Sequence, residues 1–401
     1  MYRLKSIAIL CMIHSLFSCS KEEINIINDE ISFHYGLIQR NPILLENEFT
    51  KIDLYSPTIT MKDSISNIAV IKNTIFESGY MGFQYGYGDI ISLDNGQLMV
   101  VCERSKSLDD FDPGQLIIAR SKDNGSTWSN IQEIKNEALN FINVTHPSLI
   151  NIGNGHILLF FGVKFSVERI DIRYKESFDN GITWSKDKLV GSNDEQGYQI
   201  INNARVVYEN NRIIIPVSIP HNNNAIYESI EGLSVFYYYS DNLGITWNKS
   251  KCYSSNLSLL EPGITYLDEN ELLMNIRTNI GYTLFARSYN NGNSWQFVTS
   301  DIKSTSSPQT IFKINNSDNL IMLYNNSSKG GNRNSLSIAL SKNKGHSWLN
   351  LGIIEENSNK DYHLSYPGIY VKDENIYIIY NGYYNKKSSL KIAKIKLSNT
   401  I

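Results

Sequence analysis

Ser121-Lys122-Asp123-Asn124-Gly125-Ser126-Thr127-Trp128 is one of five copies of the pattern Ser-x-Asp/Asn-x-Gly-x-Ser/Thr-Trp in this chain. The others run Ser177 to Trp184, Ser240 to Trp247, Ser288 to Trp295 and Ser341 to Trp348. All five tryptophans of the protein lie in these copies, which a composition accident would not produce. Each position has a physical task in a tight hairpin turn. Asp or Asn bonds the backbone N–H groups of the turn, Gly supplies a positive φ, and Ser or Thr adds a local backbone bond. The Trp is expected to bury its ring under the turn.

Reading outward from the boxes, hairpins appear between them. Ile90-Ile91-Ser92-Leu93, then Asp94-Asn95-Gly96, then Gln97 to Val101 is a strand, a turn and a strand. The same cadence returns at Ser148 to Phe161, Ala204 to Val217, Ile264 to Ile276, Thr310 to Tyr324 and Gly368 to Tyr380. Copies of the box follow one another at 48 to 63 residues, room for one four-stranded sheet with its loops. Six hairpins against five boxes predict an all-β, six-bladed propeller over 48–401. The last unit, after Ser388 to Leu397, lacks a box. A strand from the segment near Ile52 to Ile75 is expected to close the ring, because closure removes open sheet edges.

The 401 residues are 41% hydrophobic and 19% charged, a globular balance, and 25 Tyr and 25 Gly against 9 Pro fit many short strands and turns. The net charge of -3 offers no basic stripe for nucleic-acid phosphates, so no nucleic acid is expected as a partner. The first residues differ from the rest. Arg3 and Lys5 precede a mostly apolar run from Ile7 to Phe17, too short to cross a bilayer as a helix, which reads as a signal peptide over 1–18. Leu16-Phe17-Ser18-Cys19 resembles the bacterial lipobox, which implies lipidation of Cys19, a tether over 19–47, and an exported chain held at a cell-envelope membrane. Cys102 and Cys252 are expected to be buried free thiols. No His and Cys set has zinc-ligand spacing, no glycine-rich phosphate loop appears, and no cofactor or metal is implied.

The five boxes on an exported chain resemble the Asp-box of the sialidase family, whose fold is a six-bladed propeller, and the resemblance runs from about Gly79 to Leu397. The box is specific for the fold and far less so for an activity. What the family implies is the release of a terminal sialic acid. That sugar carries a carboxylate at its anomeric carbon, so arginines must grip it. The same charge disfavours a carboxylate nucleophile, and the family uses Tyr, activated by a neighbouring Glu, with an Asp protonating the leaving group.

Glu261-Pro262, followed by Arg277, matches the family's Glu and Arg that bracket a hairpin: Glu261 as base, Arg277 on the carboxylate. Tyr366, opening the sixth hairpin in Leu364-Ser365-Tyr366-Pro367-Gly368, stands where the family has its nucleophile. Arg333 resembles its last carboxylate-binding arginine. Asp112 stands where the family carries its acid, with Asp109 and Asp110 as rivals in the same turn.

The chain also departs from the family. The first hairpin usually opens Tyr-Arg-Ile-Pro, and here it opens Tyr85-Gly86-Tyr87-Gly88-Asp89. One clamp arginine is missing, and Arg104 resembles a second arginine near the family site that could partly replace it. Tyr85, Asp89, His146, Asn203 and Arg205, at the starts of inner strands, are further candidates to line the pocket. The partner implied is the terminal, acidic sugar of a glycan. Two other readings stay open: a propeller acting on a different sugar, as hydrolase or lyase, and a surface lipoprotein that binds glycans without chemistry.

Overall fold

The computed structural model describes residues 49–63, 68–107, 109–192, 197–220, 233–314, 317–326 and 332–399. The signal peptide, Cys19 and the tether expected before residue 48 lie outside the described residues.

Six four-stranded sheets follow one another along the chain, each folding from its inner strand outward. Blade I is Gln84–Ser92, Leu98–Ser105, Gly114–Ser121 and Ser129–Ile134; blade II is Asn143–Gly153, His156–Ser166, Arg169–Ser177 and Lys188–Leu189. Blade III is Val207–Glu209, Arg212–Pro220, Leu233–Ser240 and Cys252–Ser254; blade IV is Leu260–Tyr266, Leu272–Arg277, Leu284–Ser288 and Gln296–Ser300. Blade V is Thr310–Lys313, Leu320–Tyr324, Ser335–Ser341 and Ser347–Glu356. Blade VI takes His363–Lys372, Asn375–Tyr384 and Lys387–Lys396, and is completed by Val70–Phe76 from the other end of the chain. The inner strands of all six contribute to the lining of a cavity of about 940 Å³, including Ile90, Ile150, Val207, Thr265, Ile311 and Ile369. The fold is the six-bladed propeller read from the repeat.

The middle strands are apolar on both faces, as sheets covered on both sides must be. Leu272, Leu273, Met274 and Ile276 of blade IV are wholly buried. Their side chains alternate between the cluster shared with blade III and the cluster shared with blade V. Cys102 and Cys252 are buried in separate blades and are not joined to each other by a disulfide.

The boxes do more than turn the chain. In every copy the Ser Oγ accepts the Gly N–H at 2.8 Å. The ring of the Trp, however, faces the preceding blade. Trp247 of blade III lies 5.9 Å from Tyr174 of blade II, Trp295 lies 6.3 Å from Tyr237 of blade III, and Trp348 lies 6.4 Å from Phe285 of blade IV. Box carbonyls accept from the same neighbours: Gly244 from Tyr174 Oη at 2.8 Å and Gly292 from Tyr237 Oη at 2.9 Å. The box is therefore a latch between blades. Its Trp lies against its own turn, as expected, with Trp184 Nε1 donating to the Gly181 carbonyl at 3.1 Å, and the same ring is a wedge at the blade interface.

The closing segment also divides differently from the expectation. Only Val70–Phe76 closes the ring, antiparallel to Lys387–Lys396. The part before it, Phe49–Lys51 and Leu54–Asp63, runs parallel to the outer strands of blades III, IV and V in turn, covering edges that would otherwise be open.

Candidate active site

In four inner strands the ladder slips at the same level: between Gly86 and Asp89, Thr145 and Ser148, Leu260 and Gly263, and Ser365 and Gly368. The first residue freed by each bulge is Tyr87, His146, Glu261 and Tyr366, with φ of 50°, 53°, 41° and 55°. Such conformations cost a non-glycine residue about 1–3 kcal/mol each, and packing elsewhere must offset them. Pro147, Pro262 and Pro367 occupy the second bulged position in three of the four, where a backbone N–H would have no ladder partner. A bulge re-aims a side chain. Here four of them gather their side chains at one end of the ring.

Tyr366 Oη donates to Glu261 Oε1 at 3.3 Å, and Arg277 Nη1 donates to Glu261 Oε2 at 2.6 Å. Arg277 Nε donates to Ser306 Oγ at 3.1 Å, while Arg333 Nη2 donates to the Ser306 carbonyl at 2.6 Å. The Arg333 guanidinium carbon sits 5.8 Å from the centre of the Tyr366 ring. Tyr87 meets Tyr366 edge-on at 4.7 Å and lies 4.4 Å from His146, whose Nδ1 bonds Thr145 Oγ1 at 2.8 Å. Glu261 and Arg277 are buried, whereas Tyr87, His146, Arg333 and Tyr366 are half-buried and open to a ligand.

The electrostatics follow from burial and these neighbours. Burial and the Glu261 carboxylate push the Tyr366 hydroxyl up to about 12. Burial works against ionised Glu261, yet Arg277, His146 and Arg333 together hold it below the usual carboxylate range. Burial brings His146 down to about 4, so its ring is neutral near pH 7. Asp110, on the loop after the second strand of blade I, is raised by burial and by the charges of Asp109 and Glu261, with Lys164 opposing them, and it in turn raises Tyr366.

The structure thus brings together Tyr366, Glu261, Arg277, Arg333 and His146 among the residues singled out in the sequence, and adds Tyr87, which stands where Tyr85 was expected. Of the three aspartates weighed for the acid, Asp110, a rival of Asp112, is the one coupled electrostatically to Glu261 and Tyr366. The Tyr85 ring is buried against Phe76 at 4.9 Å and its hydroxyl donates to the Tyr80 carbonyl. Asp112 accepts from Ser107 Oγ inside its own loop. Arg104 does not substitute for the missing clamp: Nη2 binds Glu133 at 2.6 Å and Gln115 at 2.7 Å, and the guanidinium covers the Phe83 ring. Asp89 is buried and accepts the N–H groups of Ile90 and Leu149 at 2.7 Å, tying blade I to blade II. Asn203 and Arg205 lie beneath the site. Asn203 Nδ2 joins the carbonyls of Gly88 and Tyr366 at 2.7 and 3.1 Å, and Arg205 Nη1 donates to the Asn203 and Pro367 carbonyls. The signal for Tyr87 was the Gly-x-Gly that brackets it. For Asp110 there was none beyond the run of aspartates. Among the described residues no group of three metal-ligating side chains is present.

Residues 141–378 match the model of the BNR repeat-like domain. The chain belongs to that family. It adopts the propeller of the sialidase superfamily, as its structural neighbours show. A protein of unknown function from Dyadobacter fermentans matches with TM-score 0.64 at 15% identity, over 82% of this chain and 99% of that one. A Hadza microbial sialidase matches with TM-score 0.66 at 14% identity, over 82% and 69%. The sialidase of Trypanosoma rangeli in complex with sialic acid matches with TM-score 0.63 at 17% identity, over 85% of this chain and 60% of that one. The BNR chain therefore spans about three fifths of the T. rangeli enzyme. No curated protein sequence matches it.

Proposed function

We propose that this BNR protein is a retaining glycoside hydrolase that removes a terminal sugar bearing a carboxylate at its anomeric carbon, a sialic acid or a close relative. The observation that carries this reading is the Tyr366–Glu261 contact at 3.3 Å with Arg277 and Arg333 beside it. An anionic anomeric centre repels a carboxylate nucleophile and accepts a neutral phenol. In the resting site the proton belongs to Tyr366, because its hydroxyl is raised and Glu261 is lowered. Transfer to Glu261 thus accompanies attack, as positive charge grows on the anomeric carbon.

Tyr366 Oη bonds that carbon and gives its proton to Glu261, while the bond to the leaving oxygen breaks and Asp110 protonates it. In the second half Asp110 takes a proton from water, the water oxygen attacks the anomeric carbon, and Tyr366 leaves with its proton returned from Glu261. Burial keeps Asp110 above the usual carboxylate range, as an acid requires. The T. rangeli relative, a sialidase holding sialic acid, supports this substrate class.

A second reading rests on Tyr87. Gly86 stands where the family places an arginine, and the next residue, Tyr87, sets its ring against neutral His146, a surface suited to an uncharged sugar face. Release of a fluorescent aglycone from an α-linked sialoside by the wild type, cut about 10³-fold or more in Tyr366→Phe and in Glu261→Gln, is the outcome expected of the first reading. A folded wild type that leaves sialosides intact and cleaves a neutral glycoside would establish the second.

We further infer from Leu16-Phe17-Ser18-Cys19 that the chain is exported and lipid-anchored. Cys19→Ser should move it from the membrane fraction to the soluble fraction of its bacterial host. An unchanged partition would remove the anchor from the account.

A further inference from the structure

Among the buried cations the mechanism above leaves unused, Lys164 is the one paired with Asp110. Lys164, on the second strand of blade II, is 3% exposed, and its Nζ lies 3.8 Å from Asp110 Oδ2. Two rings flank that ammonium: Phe111, next to Asp110, at 4.4 Å, and Tyr198 at 5.9 Å. A lysine placed this deep loses most of its hydration, so an opposite charge at its tip has a task to perform. A second tie fixes the same loop: Asn143 Nδ2 donates to the Asp110 carbonyl at 3.5 Å and to Glu103 Oε1 at 3.4 Å.

We propose that Lys164 is the positioning residue of Asp110, holding that carboxyl toward Tyr366 and governing its ionisation through the buried ion pair. The proposal rests on the acid and base role given to Asp110 above. It also explains why Asp110, among the aspartates of its turn, is the one that faces the site. Asp109 is exposed and Asp112 is bonded to Ser107, whereas Asp110 points at a fixed cation.

Several titratable groups are coupled electrostatically to Asp110. Glu103 and Tyr87 come from blade I, Asp109 from the same loop, Glu261 from blade IV, Tyr366 from blade VI, and Tyr198 from the segment between blades II and III. Burial, Asp109 and Glu261 act to keep its proton on, and Lys164 acts against them. A base in the second half-reaction must be able to lose that proton. Lys164 is the cation that makes this accessible, while His146, which Lys164 disfavours as a cation, stays neutral.

The test reads Asp110 directly. Carboxyl NMR of protein labelled with ¹³C-aspartate, with Asp110→Asn assigning the resonance, gives its titration in the wild type, Lys164→Met and Lys164→Arg. Loss of the cation should move the titration up by about one pH unit or more, and Lys164→Arg should return it. The limbs of kcat/KM against pH should move the same way in Lys164→Met. Its activity should fall further on an alkyl leaving group, which needs the acid, than on an aryl one. An unmoved Asp110 titration in folded Lys164→Met would overturn the proposal. A moved titration with an unmoved rate profile would instead overturn the acid role of Asp110, and with it any part for Lys164 in the reaction. If Lys164→Met does not fold, the reciprocal experiment decides: Asp110→Asn should move the Lys164 side-chain titration down, and no movement there overturns the pairing.

Discussion

Tyr366 and Glu261 are the residues on which the proposed chemistry turns, and backbone geometry places both. Each sits in the left-handed region because a bulge at the same level of the inner strands of blades IV and VI puts it there. Glu103 shows how the same floor trades stability for electrostatics. Burial pushes it from an ordinary 4.5 up to about 7, and Oε2 is buried without a partner. The folded chain holds that proton more tightly than the unfolded chain does. The stability Glu103 contributes is therefore full below about pH 4.5 and is lost as the pH rises to about 7. Glu103→Gln should leave stability at pH 4 little changed and raise it at pH 8 by up to about 3 kcal/mol. Urea denaturation at the two pH values measures this, and an equal effect at both would show that Glu103 does not titrate in this window.

At the scale of elements, the box joins blades, so its glycine faces two demands. Gly292 has φ of 85°, and a Cβ there would stand 2.1 Å from Tyr237 Oη, the hydroxyl that donates to its own carbonyl. Gly153, at the end of an inner strand, has φ of 99° with nothing within 4 Å of a Cβ. Gly153→Ala should cost about 1 kcal/mol, the backbone term alone, and Gly292→Ala about 1–3 kcal/mol more, because the latch must open. Denaturant midpoints compare the two. Equal losses would mean that the box acts only as a turn and that its grip on the neighbouring blade carries little energy.

For the whole molecule, the ring is held by a strand from far away in sequence. Val70–Phe76 pairs with Lys387–Lys396, and Phe76 is 3% exposed, stacked on Tyr85 at 4.9 Å. Blade VI has no box of its own, and the box of blade I packs on it, Gly125 lying against Tyr377 and Ile392, so the strand shares the closure with that contact. Phe76→Ala should cost about 3–5 kcal/mol and, by loosening the closing edge, promote self-association. Thermal unfolding and size-exclusion chromatography read the two effects. A variant as stable and monodisperse as the wild type would shift the weight of closure to the parallel strap, Phe49–Lys51 and Leu54–Asp63.

The amino-acid order by itself determined the turn chemistry, the number of blades and the topological addresses of Glu261, Arg277, Arg333 and Tyr366. These are local facts: a box needs only eight adjacent residues, and the spacing of boxes counts sheets. Only the tertiary structure decided which neighbour in a short run faces the site. Strict alternation would put Tyr85 and Tyr87 on one face of their strand. The bulge after Gly86 separates them, leaving Tyr85 in the core and Tyr87 at the mouth. Asp109, Asp110 and Asp112 are chemically alike in sequence, and a lysine 54 residues on, at position 164, selects among them. Arg104 looked free to replace a clamp until Glu133, on the outer strand of its own blade, was seen to hold it. A charge's partner depends on long-range contacts, and these exist only once the ring has closed.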